Sequence, residues 1–111
     1  TVKSGGNSHL ESPKNISDDS VVSFSPPENE GIIFVHASFS ENAAAFYSTL
    51  NSGVKIVTQS SSNIEEYNGA LSGTTGVDGK FTIGADSSGN IYLENRLGQS
   101  EKVAWSLLAT H

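Results

Sequence analysis

The chain has no cysteine, no methionine and a single arginine, and each shortage removes a class of protein. Without cysteine there is no disulfide framework, thiol nucleophile or thiolate-bound zinc. Lys and Arg number six against twelve Asp and Glu, a net charge of −6, and the pI is near 4.8. Binding to nucleic acid depends on neutralising phosphates with Lys and Arg, and no window of this sequence holds a basic cluster. The balance therefore argues against direct contact with DNA, RNA or anionic lipid. No apolar run approaches the roughly 18–20 residues that span a bilayer, and no signal-peptide core opens the sequence. Without an initiator methionine, the chain is expected to start inside a longer polypeptide or after processing.

Apolar residues are also scarce. They make up 35% of the 111 residues, and charged residues 16%, against roughly 45–50% and 25% in an average soluble domain. Serine, glycine, threonine and asparagine fill the gap. A chain of this length reads as one domain, and so low an apolar fraction leaves its core thin. That is a first pointer to an oligomer.

Residues 1–20 form a polar lead with Val2, Leu10 and Ile16 as isolated anchors and no clean period. They read as a neck or linker to an upstream coiled coil or shaft, with the domain proper at 21–111. From residue 21 the text is strands and turns, predicted at 21–25, 31–39, 44–50, 54–59, 64–67, 81–85, 91–95 and 103–108. In the strongest, Ile33, Val35, Ala37 and Phe39 share one face, and Ile32, Phe34, His36 and Ser38 the other. Asn51-Ser52-Gly53 joins two strands as a hairpin, and Asn68-Gly69 reads as a type I′ turn closing a weak strand. Eight short strands at roughly ten-residue spacing, with no amphipathic helix between them, predict an all-β antiparallel sandwich. A small jelly roll fits best, with a seven-stranded immunoglobulin-like sandwich second.

The inventory for catalysis is poor. Of His9, His36 and His111 only His36 falls within the predicted strands, and no nucleophile elbow accompanies it. Asp18-Asp19 and Glu65-Glu66 read as solvated charge; neighbours on a strand point to opposite faces and cannot converge on one substrate atom. The segment 86–90 begins like a calcium loop, but Ile91 stands where glycine is needed and Leu97 where glutamate is needed, so a hairpin turn is expected. The glycines at 69, 73, 76 and 79 lack the Gly-Lys-Ser/Thr ending of a phosphate loop. They read instead as room for a long loop to pack closely. Trp105, sharing a face with Val103 and Leu107, reads as a core anchor or subunit-interface filler.

Arg96 is the one singular charge. A salt bridge to Glu94, Glu101 or a neighbouring subunit is the plain reading. In a trimer, three such guanidinium groups could hold a small carboxylate or phosphate at a subunit interface. Asn42, Tyr47, Tyr67 and Asn68 are further candidates for ligand or receptor contact, the tyrosines as stacking platforms and the asparagines as polar partners. No cofactor or metal is expected.

The run Asp78-Gly79-Lys80-Phe81-Thr82-Ile83, then Gly89-Asn90-Ile91-Tyr92-Leu93-Glu94-Asn95-Arg96-Leu97-Gly98, then Val103-Ala104-Trp105-Ser106-Leu107, resembles the C-terminal head domains of trimeric bacteriophage tail fibres and tail needles. The earlier Gly31-Ile32-Ile33-Phe34-Val35 and Ala44-Ala45-Phe46-Tyr47 fit the same pattern. The likeness covers about residues 21–109 and is nearest to the distal knob of the needle of short-tailed phages. It implies a jelly-roll protomer like that of tumour necrosis factor, closed into an intertwined homotrimer at the tip of a virion tail. It also implies no enzymatic activity, and a partner in the host cell surface. The needle type would also plug the portal channel and retain packaged DNA. A cysteine-free tip exposed to the environment would draw its stability from subunit interfaces, on the scale of about 2,000 Å² or more in obligate assemblies. Two other classes stay open on the residues alone: a carbohydrate-binding module, and an immunoglobulin-like repeat of a bacterial surface adhesin.

Overall fold

The computed structural model describes residues 8–37 and 41–109. Nine strands follow one another: β1 (Ser8–Ile16), β2 (Ser20–Phe24), β3 (Glu30–Ala37), β4 (Glu41–Ser48), β5 (Gly53–Gln59), β6 (Ile64–Asn68), β7 (Phe81–Ala85), β8 (Ile91–Asn95) and β9 (Glu101–Ala109). They form two sheets, in the orders β1-β9-β3-β4-β5 and β2-β8-β7-β6. The protein is an all-β sandwich. The chain changes sheet between β1 and β2, β2 and β3, β5 and β6, and β8 and β9, the end crossings of a jelly roll. Between them β3-β4-β5 is a meander within the first sheet. Among the described residues no helix is long and apolar enough to cross a membrane.

The alternation read from the sequence sets the inside. Ile33, Val35 and Ala37 of β3, Ala43, Ala45 and Tyr47 of β4, and Val103, Trp105 and Leu107 of β9 point inward. They meet Phe81, Ile83 and Ala85 of β7 and Ile91 and Leu93 of β8. Successive side chains of a strand point to opposite faces, so these sets define the inner layer of both sheets. Phe39 and Ser38 lie outside the described residues.

Three expectations need correction. The polar lead is not a linker along its second half, because Ser8–Ile16 pairs antiparallel with β9 from Ser8↔Leu108 to Ile16↔Glu101. A strand this polar survives as an edge strand, and its register shifts between Glu11 and Lys14, around Pro13, whose ring cannot donate to a ladder. Next, Asn68-Gly69 does not close a hairpin. Asn68 ends β6, which pairs parallel with β7 from Ile64↔Phe81 to Asn68↔Ala85, so residues 69–80 form a crossover. Finally, the strand predicted at 44–50 begins at Glu41 and ends at Ser48, and Thr49 and Leu50 belong to the turn. The β4-β5 hairpin itself is present, with Ser52 at φ 55 in its turn.

The crossover is what distinguishes the two outer faces of the sandwich. Residues 69–80 drape over the outer face of the second sheet. An added Cβ at Gly76 would lie 2.5 Å from Oγ1 of Thr82 and 2.6 Å from Oε1 of Glu94. Gly73 has φ +108, and its Cβ would lie 2.8 Å from the carbonyl oxygen of Asp19. Only glycine allows the backbone this close. Thr82, Gly84 and Glu94, all pointing outward, are thereby buried. The outer face of the first sheet has no such cover among the described residues.

The free edge of β5 is closed differently. Its Val54 and Ile56 N–H groups donate to Oδ1 of Asn68 at 3.2 Å and to Oε1 of Glu66 at 2.7 Å. Side chains of β6 thus stand in for a further strand, a device that blocks pairing with other chains.

Candidate functional site

Glu94, Asn95 and Arg96 gather buried polar contacts at one end of the sandwich, where β8 runs out. Glu94 is fully buried. Its Oε2 accepts from the N–H groups of Gly73 at 2.8 Å and Thr75 at 3.0 Å, and its Oε1 from Gly76 at 2.8 Å. A carboxylate taking three backbone donors fixes the crossover in one shape. Asn95, also fully buried, donates from Nδ2 to the carbonyls of Ile16 at 2.8 Å and Gln99 at 2.7 Å. Its Oδ1 accepts from Leu97 N–H at 2.9 Å.

Arg96 completes the cluster. Its Nε donates to Oδ1 of Asp19 at 2.8 Å, and its Nη1 to the carbonyl of Gly76 at 2.9 Å. Nη2 lies 3.7 Å from Oδ1 of Asp78. The expected partners Glu94 and Glu101 are therefore not the ones it bonds, since the carboxylate of Glu94 is held by loop N–H groups. Asp19, at φ 57, reaches the guanidinium from the turn between β1 and β2. Its neighbour Asp18 accepts from Gly98 N–H at 2.9 Å. The Asp18-Asp19 pair, read from sequence as solvated charge, is a pair of braces. Sequence reasoning missed the roles of Glu94, Asn95 and Asp19, because their partners are main-chain groups or lie some eighty residues away. The one available signal was a buried-type strand ending in three consecutive polar residues.

The other candidates do not converge. Tyr47 is buried inside the core, and its hydroxyl donates to the carbonyl of Glu28 at 3.1 Å. Burial, with the Glu28 carboxylate adding, raises its pKa. A ring 3% exposed offers no face to a sugar. Tyr67 is exposed beside Gly69 on the far edge. Asn68 is occupied with the β5 edge, as described. Asn42 sits on the outer face of the first sheet, where its Oδ1 accepts from Nδ1 of His36. Its main chain exchanges bonds of 2.8 Å with Ser60. Asn42 and His36 border a groove of about 640 Å³ with Phe34, Ala44, Gln59 and Ala104.

The calcium-like segment is a turn built by Asp86. Its Oδ1 accepts from the N–H groups of Ser88 at 3.0 Å and Asn90 at 3.1 Å, and its Oδ2 from the Tyr92 hydroxyl. Among the described residues no group of three His, Cys, Asp or Glu is placed to hold a metal. The Tyr92 hydroxyl does most to hold the Asp86 carboxyl below its ordinary pKa, with the two N–H groups adding and desolvation opposing. A carboxyl whose pKa is depressed on folding contributes stability above its unfolded value, 3.8 here, and loses it as pH falls through the folded value. Tyr92→Phe removes the main cause. The stability gap between wild type and this variant, read from urea midpoints, is expected to be widest above pH 4 and to narrow below it. A gap independent of pH would show that the hydroxyl does not favour the ionised carboxyl.

No protein-family model, curated protein or solved structure matches the chain.

Proposed function

We propose that this domain is the distal knob of a trimeric phage tail needle or fibre. It would act in contact with, and penetration of, the host cell envelope as genome delivery begins. It is a structural and contact module, not an enzyme, working at the tip of the virion as part of a homotrimer on an upstream shaft. A small anion held at a subunit interface stays compatible with this reading. One observation carries it: the polar end of the run that resembles such knobs is spent on bracing. Glu94, Asn95 and Arg96 tie the β1-β2 turn, the crossover and the loop after β8 into one braced end. A tip pushed against an envelope needs that stiffness, and without cysteine it comes from buried polar networks.

The test is electron microscopy of the full polypeptide from which the chain comes, with an antibody fragment raised against these 111 residues. A rod labelled at its end is expected. A compact particle without a shaft, or label along the middle of a rod, contradicts the proposal.

A carbohydrate-binding module is the second reading, favoured by the exposed Phe34 ring lying beside Asn42 and Gln59 in the groove. Glycan-array binding by a monomeric chain, lost in Phe34→Ala, would bring it forward.

A further inference from the structure

We propose that Asn68-Gly69 is a site of self-modification: the folded chain loses ammonia there through a succinimide and hydrolyses to aspartate and isoaspartate. The isoaspartyl form then opens the edge of β5. This stands independently of what the domain binds. The pair is the only Asn-Gly in the sequence, and every other asparagine is followed by a residue that carries a side chain. In such a reaction the next main-chain nitrogen must reach the asparagine side-chain carbonyl carbon, and a glycine leaves that nitrogen unhindered.

Three features of the fold leave the reaction open. Asn68 is exposed, and its pairing with Ala85 is the last of the parallel β6-β7 ladder. The chain bends at Gly69, and residues 69–72 belong to no strand. The Asn68 Oδ1 accepts from Val54 N–H at 3.2 Å. A donor on that oxygen draws electrons from Cγ and steadies the charge that builds on the oxygen when a nucleophile adds, as an oxyanion hole does.

The fold also asks for both residues. Gly69 lies at φ +150, and a Cβ there would stand 3.2 Å from Cε2 of Tyr67. Position 68 must bring an acceptor to the main chain of β5, where with Glu66 it covers the edge. The pair that builds this corner is thus the pair that ages.

Water is the only co-reactant. The Gly69 nitrogen gives its proton to solvent and bonds Cγ, the Cγ–Nδ2 bond breaks, and Nδ2 leaves as ammonia. Water then opens the ring on one side or the other. Breaking the new bond to Cγ gives aspartate, whose carboxylate keeps the side-chain length and accepts from Val54 with added charge. Breaking the original main-chain bond gives isoaspartate, which routes the main chain through Cγ and leaves a carboxylate one carbon shorter. The acceptor is withdrawn from Val54, and β5 gains an unpaired edge donor, the kind that pairs with other chains.

The experiment incubates the 111-residue chain at neutral and mildly alkaline pH, folded and in urea. Trypsin releases residues 56–80, and tandem mass spectrometry locates each converted asparagine and separates aspartate from isoaspartate. In the folded chain Asn68 is expected to convert ahead of every other asparagine, faster at the higher pH, to both products. Asn68 that stays intact in the folded chain while converting in urea overturns the proposal, because the fold then shields the site. Amide exchange at Val54, read by NMR, tests the consequence. It is expected to quicken about tenfold in the isoaspartyl fraction and in Asn68→Ala, the order set by losing one hydrogen bond, and not in Asn68→Asp. Val54 exchange unchanged in the isoaspartyl fraction overturns the opening of the β5 edge.

Discussion

Replacing Glu94 with alanine is expected to destabilise the domain by about 3–5 kcal/mol. Each charge-assisted hydrogen bond contributes on the order of 1.5–3 kcal/mol, and removing the acceptor leaves buried donors unsatisfied. Here three donors depend on one carboxylate: the N–H groups of Gly73, Thr75 and Gly76. Water cannot simply replace it, because the side chain is fully buried beneath the crossover. The loss should be local before it is global. Amide hydrogen exchange across residues 69–80 is expected to quicken far more than across β3 or β9. Glu94→Gln should fall between the two, since one amide oxygen still accepts while the NH₂ group faces donors. Gly76→Ala tests the same contact from the other side, because its Cβ would strike both Thr82 and Glu94. A destabilisation below about 1 kcal/mol for Glu94→Ala, within the range of ordinary surface substitutions and their neighbours, would show that the crossover does not depend on it.

Trp105 gives the second large effect, and its two substitutions should diverge. The indole is buried, 3% exposed, and stacks on Phe24 with ring centroids 4.9 Å apart and 15° between planes. Removing a buried aromatic of this size costs about 3–5 kcal/mol, so Trp105→Ala should unfold at much lower denaturant. The indole Nε1, however, has no hydrogen-bond partner. An unpaired buried donor carries a penalty, which phenylalanine avoids. Trp105→Phe is therefore expected to lose much less than the alanine variant, the smaller ring being offset in part by the absent N–H. If the phenylalanine variant is as damaged as the alanine one, the Nε1 is satisfied by a group the described residues do not include. The intrinsic fluorescence of Trp105 should also stay unmoved by added sugars, since the ring has no exposed face.

How legible this was depended on burial. Strands such as β7 and β8 were readable to the residue, because Phe81, Ile83, Ile91 and Leu93 alternate with side chains that face away from the core. β1 was not, since a polar edge strand with one partner needs little apolar surface and Pro13 masks its pattern. The parallel pairing of β6 and β7 was hidden for another reason: Asn68-Gly69 has the local chemistry of a hairpin turn, yet Asn68 is recruited to the β5 edge. For the candidate site, the sequence made Arg96 conspicuous but not its partner. Asp19 lies 77 residues away, and neither spacing nor composition joins them. The outer-face residues Ile32, Phe34 and Phe46 were visible as half of an alternating pattern. That Phe34 and Phe46 would stay exposed depends on which sheet the crossover covers.

The claim that most else depends on is assembly. The direct measurement is the solution mass of the chain by native mass spectrometry, at low micromolar concentration and again after mild heating. The account predicts a species of three times 11.6 kDa that survives the heating. A clean monomer of 11.6 kDa under both conditions would contradict it.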